Sequence, residues 1–155
     1  MVLSQELKKE ADKLMAMYPD KGAALLPVLH LVQRELDYIT PETEEQIAKL
    51  MGLTKTRVQG VLTFYTMYHT VPIGKYLVQV CKNISCTISG AERLIEYIKH
   101  KLGIGLGETT ADGKFTLITV ECLGSCGTSP AMQINDDYHE SLTEKKIDEI
   151  FEQLK

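Results

Sequence analysis

The run Lys75-Tyr76-Leu77-Val78-Gln79-Val80-Cys81-Lys82-Asn83-Ile84-Ser85-Cys86 begins as a strand and ends in a pair of cysteines. From Lys75 to Val80 the alternation puts Tyr76, Val78 and Val80 on one face. Cys81 follows the strand directly, and Cys86 comes after four intervening residues. The pattern recurs downstream. Phe115 to Glu121 reads as a second strand, Cys122 follows it, and Cys126 comes after three more residues. Thirty-five residues separate the two pairs. If the two strands are neighbours, loops leaving their same ends bring four thiolates together.

Working outward, Ser89-Gly90-Ala91-Glu92 has the form of a capping box, and Ala91, Leu94, Ile95, Ile98 and Leu102 continue it as a helical stripe. Asp112-Gly113 is a turn signal leading into the second strand. Met132 to Ile134 reads as a short strand, Asn135 to Asp137 as a tight turn, and Tyr138 as the start of its partner. Ser141-Leu142-Thr143-Glu144 is a second capping box, before Ile147, Ile150, Phe151 and Leu154 at helical spacing. The order is βαβ followed by ββα, which predicts a mixed sheet of about four strands with helices packed on it. Upstream, Val71-Pro72-Ile73-Gly74 breaks the pattern, and the domain boundary is expected between residues 72 and 73. Residues 1–72 read as a helical bundle. Ser4 caps a stripe of Leu7, Ala11, Leu14, Met15 and Tyr18. A second apolar segment runs from Ala23 to Leu36, with Pro27 tolerable in its first turn. Thr40-Pro41 opens a helix that stops at Gly52, and Thr54 caps a helix carrying Val58, Val61, Leu62 and Tyr65.

Composition narrows the function. The 155 residues are 44% hydrophobic and 25% charged, ordinary for a globular protein and unlike a disordered one. The net charge of −4 removes the usual electrostatic argument for nucleic-acid binding. The longest apolar stretch, Ala23 to Val32, is interrupted by Pro27 and His30 and is too short to span a bilayer. The amino terminus lacks an apolar signal core, so a cytoplasmic location is expected, with the peripheral arm of a membrane-bound complex compatible with it. In a reducing compartment four cysteines read as metal or redox chemistry rather than disulfides.

Cys81, Cys86, Cys122 and Cys126 are the candidate ligands. Iron–sulfur clusters take four soft anionic ligands, and loops suit them because they wrap the metal and offer backbone N–H groups to sulfur. Gly124 and Gly127 around Cys126 would permit that approach. The spacing is not that of plant-type ferredoxins, whose first three cysteines share one loop. A zinc-stabilised interaction module with four cysteine ligands is the alternative, although its pairs usually have two residues between their members. Buried free cysteines would make two pairs at two strand ends a coincidence. A thioredoxin-type dithiol would need C-x-x-C, which is absent.

Three stretches also carry a family resemblance: Cys81 to Ala91, Val120-Glu121-Cys122-Leu123-Gly124-Ser125-Cys126, and Pro130-Ala131-Met132-Gln133-Ile134-Asn135-Asp136. They resemble the NuoE-type subunits of NADH:quinone oxidoreductase (complex I) and the similar subunits of NAD-linked hydrogenases, formate dehydrogenases and electron-bifurcating complexes. Val58-Gln59-Gly60-Val61-Leu62-Thr63-Phe64-Tyr65 extends the resemblance into the helical part. It implies an α+β fold, with a helical bundle at 1–72 and a thioredoxin-like [2Fe–2S] domain at 73–155. It implies one [2Fe–2S] cluster held by Cys81, Cys86, Cys122 and Cys126. It implies an electron-transfer subunit, inactive alone, in a larger oxidoreductase complex. FMN and the NADH site then sit on a NuoF-like flavoprotein partner. Ser85 and Ser125 stand where the family has alanine, and their hydroxyls are candidates to tune the cluster by donating to sulfur.

Other features read more plainly. Gly103 to Gly107 lacks the strand–turn–helix context of a dinucleotide loop, so it reads as a helix stop and linker. The Pro41–Tyr65 helix pair resembles a helix-turn-helix, but Lys49, Lys55 and Arg57 are matched by Glu42, Glu44 and Glu45, so a packed bundle is expected. Phe64, Tyr65, Met67 and Tyr68 are expected to divide between core and a docking surface. His30, His69, His100 and His139 show no ligand spacing, and Asp136-Asp137 reads as turn chemistry.

Overall fold

A computed structural model describes residues 3–154; the first two residues of the amino-terminal stretch read above, and the last residue of the chain, lie outside the described residues. Two compact units divide between Pro72 and Ile73.

In the first unit, local capping starts three of four helices. Ser4 accepts from the Leu7 N–H at 3.1 Å and opens α1, Gln5–Ala16. A 3₁₀ turn, Lys21–Ala24, leads into α2, Leu25–Leu36, so Pro27 lies in the first turn, where its missing N–H has no intrahelical partner to lose. Thr40 caps α3, Pro41–Met51, and Thr54 caps α4, Lys55–Phe64, each accepting an N–H at 3.2 Å. The core gathers on α2, whose Leu25, Val28, Leu29, Leu31 and Val32 are buried among Ala11, Ile47, Met51, Val58 and Leu62. The chain after α4 folds back onto it. Tyr68 donates its hydroxyl to the Leu26 carbonyl at 2.9 Å and tilts its ring against His30. The aromatic run therefore divides: Tyr68 is core, while Phe64 and Met67 are 77% and 48% exposed.

The second unit is a four-stranded sheet in the order β2-β1-β3-β4. β1, Tyr76–Cys81, lies parallel to β2, Phe115–Val120, and antiparallel to β3, Met132–Ile134, which pairs with β4, Asp137–His139. The mixed α+β arrangement expected from the βαβ-ββα order is the one found. Between the parallel strands come a short helix, α5, Ile84–Ile88, and the crossover helix α6, Ala91–Leu102; α7, Glu144–Gln153, follows the last hairpin. Val78, Val80, Ile98, Leu117, Met132 and Ile147 fill the core. β1 is an inner strand and buries Leu77 and Cys81 as well as Val78 and Val80, so alternation understates its burial.

Both expected capping boxes fail. Ser89 ends α5, a helix not read from the sequence, and its hydroxyl pairs with Ser129 at 2.7 Å. Gly90, in left-handed backbone, starts α6 with no side-chain cap. At α7 the cap is Thr143, accepting from the Lys146 N–H at 3.2 Å, while Glu144 pairs with Arg93 across to α6 at 2.8 Å. At Ser89 a tertiary partner takes the hydroxyl, whereas at α7 the nearer local cap Thr143 stands in for Ser141.

Candidate metal centre

The parallel pairing of β1 and β2 carries both cysteine loops out of the sheet at one end. Cys81, the last residue of β1, is in register with Val120, the last of β2, and the Lys82 N–H donates to the Val120 carbonyl at 2.9 Å. Cys122 lies two residues beyond that partner. Asn83 accepts from the Ile84 N–H at 2.8 Å and opens α5, which turns Cys86 inward while Ile84 and Ile88 point to solvent. Cys126 begins a 3₁₀ turn, Cys126–Thr128. Gly124 has φ 78°, a left-handed conformation suited to glycine, and donates its N–H to the Cys122 sulfur at 3.4 Å.

The four sulfurs are not equivalent. Cys81 and Cys86 are 3% and 2% exposed and pack with Ala91 and Ala131, with Leu123 against them. Cys122 and Cys126 are exposed. Burial opposes ionisation of Cys81, yet N–H groups of Asn83 and Leu123, with the Cys86 thiol, bring it below the ordinary thiol value. Asn83 and Leu123 belong to different loops, so both loops act on the one sulfur, which itself lies 3.7 Å from the Glu121 carbonyl oxygen. Burial, then the bond to Cys81, pushes the Cys86 thiol up; the Ala131 N–H opposes this and the charges of Cys81 and Cys126 add to it. The Cys81 N–H also donates to the Ala131 carbonyl at 3.1 Å, so the segment after the cis Ser129–Pro130 peptide closes a third side of the buried pair.

The structure thus draws the two loops together and sorts their cysteines into a buried and an exposed pair. Among the described residues, no three His, Cys, Asp or Glu side chains are already gathered closely enough to hold a metal ion. The donor chemistry nevertheless suits an iron–sulfur centre: four soft sulfurs on two adjoining loops, with backbone N–H groups directed at Cys81, Cys86 and Cys122. A Cβ on Gly124 or on Gly127 would meet nothing within 4 Å, so neither glycine is packed against another segment. Nor is the Ser125 hydroxyl given to a sulfur. It donates to Glu140 Oε1 and lies 2.9 Å from the Thr128 hydroxyl. Ser125, then Thr128, hold the Glu140 carboxyl below its ordinary range. Glu140 carried no sequence signal, because its partners lie 15 and 12 residues away and only the hairpin return brings them near.

Two parallel strands ending in cysteine loops, on a mixed sheet backed by helices, define a thioredoxin-like iron–sulfur domain. The chain belongs to the thioredoxin-like [2Fe-2S] ferredoxin family, whose model matches residues 11–155. It is 40% identical over 149 residues to the second E-type NADH-quinone oxidoreductase subunit of Rhizobium meliloti, covering 96% of this chain and 89% of that protein. It is 46% identical over 147 residues to NADH-quinone oxidoreductase subunit 2 of Thermus thermophilus, covering 93% of this chain and 81% of that one. The fold also matches an NAD+-reducing [NiFe]-hydrogenase solved in the air-oxidized state, with a TM-score of 0.70 and 22% identity. That match covers 84% of this chain and 22% of the hydrogenase chain. The two relatives at 40% and 46% identity are both oxidoreductase subunits.

Proposed function

We propose that this chain is the electron-transfer subunit of an NADH dehydrogenase-type complex, with one [2Fe–2S] cluster bound by Cys81, Cys86, Cys122 and Cys126. Its electrons are exchanged singly with FMN on a partner NADH-binding flavoprotein. The observation that carries this reading is the β1–β2 register, which sends both cysteine pairs out at one end of the sheet. When bound, the cluster supplies a centre that gains and loses one electron at a time. The chain's own residues do the rest. The sulfurs bind, and the amides of Asn83, Leu123, Gly124 and Ala131 offset the negative charge that four thiolates accumulate. Ala91, Ala131 and Leu123 keep water from the Cys81–Cys86 side, leaving the Cys122–Cys126 side as the open one. A hydride needs a two-electron acceptor, so NADH oxidation belongs to the partner's flavin. Among the described residues no helix is long and apolar enough to cross a membrane, and the chain is proposed to work on the cytoplasmic side.

Anaerobically purified protein is expected to contain about two iron and two sulfide per chain and, once reduced, to give a spin-half EPR signal. NADH alone should leave it oxidised, and NADH with the flavoprotein partner should reduce it. Stoichiometric zinc without sulfide, or NADH turnover by the purified chain alone, would overturn the reading.

A further inference from the structure

The exposed cysteine loop is poorly held by regular structure. Between Cys122 and Ser129 the only helical turn is Cys126–Thr128, and two glycines lie within the loop. Such a loop loses much conformational freedom when both its cysteines must hold fixed positions. Besides Leu123 against the buried cysteines and Ser129 against Ser89, it is restrained by the residues that follow the β3–β4 hairpin. One oxygen of Glu140, the residue after β4, accepts from the Ser125 hydroxyl and from the Thr128 hydroxyl, the latter at 2.8 Å. The two hydroxyls are themselves 2.9 Å apart. Ser125 immediately precedes Cys126 and Thr128 ends its turn, so the carboxylate grips both flanks of that ligand. The backbone repeats the attachment: the Ser141 N–H donates to the Thr128 carbonyl at 2.6 Å. Lys146, from α7, anchors Glu140 in turn, donating to its carbonyl at 2.6 Å. Bonds to an ionised acceptor are roughly twice as strong as neutral ones, which suits a clamp on an exposed loop.

We propose that Glu140 is a positioning residue for the cysteine loop: through Ser125 and Thr128 it holds Cys126 in place, and by accepting from Ser125 it keeps that hydroxyl away from sulfur. The inference rests on reading the four cysteines as cluster ligands. It gives the carboxylate two separable effects. As an acceptor it restrains the loop. As a negative charge near a ligand it disfavours addition of an electron.

The test uses the full chain purified anaerobically with its cluster. Iron and sulfide are measured first in the unsubstituted protein, and zinc in their place overturns the ligand reading itself. With the cluster present, Glu140→Ala and the double variant S125A/T128A are expected to bleach in excess chelator about tenfold faster, as loss of a charge-assisted bond implies. Glu140→Gln keeps an acceptor oxygen and should bleach within about threefold of the parent, while its midpoint potential rises because a negative charge is gone. The EPR g-values should shift in Glu140→Ala and not in Glu140→Gln. If Glu140→Ala fails to fold, S125A/T128A and Glu140→Gln decide the matter by the same readings. Parent-like bleaching in S125A/T128A overturns the proposal and leaves the ligand reading standing, whatever the potential of Glu140→Gln.

Discussion

Tyr68 and His69 are neighbours whose titrations move in opposite directions for one reason. Burial raises the Tyr68 hydroxyl to about 12 and lowers the His69 ring below its ordinary 6.5, since both must stay neutral away from water. The Tyr68 hydroxyl donates to Leu26, so Tyr68→Phe removes a donor without opening a cavity. Its expected cost is about 1 kcal/mol, read from the denaturant midpoint. His69 makes stability depend on pH. The unfolded ring takes up a proton near 6.5, whereas the folded ring resists protonation to lower pH. The unfolded state thus binds more protons in that interval, and stability present above pH 6.5 is lost as pH falls through the folded value. Burial lowers His139 too, against the opposing charge of Asp137, so the second unit shares the trend. Denaturant midpoints followed from neutral pH down to about 5 should fall less steeply in His69→Gln than in the parent. Identical slopes would remove His69 from the account.

At the scale of elements, the entry to β1 depends on a backbone too close for any side chain. A Cβ on Gly74 would lie 2.9 Å from the Lys114 carbonyl carbon and oxygen, and the Gly74 N–H donates to the Thr116 hydroxyl at 2.6 Å. The methyl of Gly74→Ala must push β1 away from the start of β2, an overpacking with an expected cost of about 1–3 kcal/mol. Gly60, inside α4, has open space at the same position. Gly60→Ala should therefore stabilise by about 0.5–1 kcal/mol, through helix propensity alone. Thermal unfolding of the two variants should move in opposite directions, and a Gly74→Ala protein as stable as the parent would contradict the contact. Helix starts at Ser4, Thr40 and Thr54 were legible because cap and donor lie three residues apart. The short helix α5 was not legible, since five residues are too few for a periodic signal.

For the whole molecule, a division of labour between the two units is expected. The helical unit holds no cysteine, yet it exposes Phe64 at the end of α4 and Met67 just beyond it. We expect this surface to engage the flavoprotein partner. Phe64→Glu with Met67→Glu should weaken assembly by about tenfold or more, since apolar anchors commonly carry about 1–2 kcal/mol or more each. The cluster's absorbance and EPR signal should stay unchanged, because the substitutions lie in the other unit. Co-purification and NADH-driven reduction with the partner measure the effect, and undiminished assembly would move the docking surface elsewhere.

From sequence alone, the helical stripes, the strands, their βαβ-ββα order and the cysteine spacing could all be read, because each is written in residues a few positions apart. The likeness to a known family was legible at the same cysteines. Three things were decided only by the tertiary structure. Packing against Ala91 and Ala131 buries Cys81 and Cys86 and leaves Cys122 and Cys126 open, though all four look alike in the sequence. Ser89 shares its hydroxyl bond with Ser129, 40 residues away, instead of capping α6. Ser125 gives its own to Glu140 instead of a sulfur. A hydroxyl bonds whichever partner the packed chain places nearest, and only closure of the sheet and the β3–β4 hairpin puts these partners within reach.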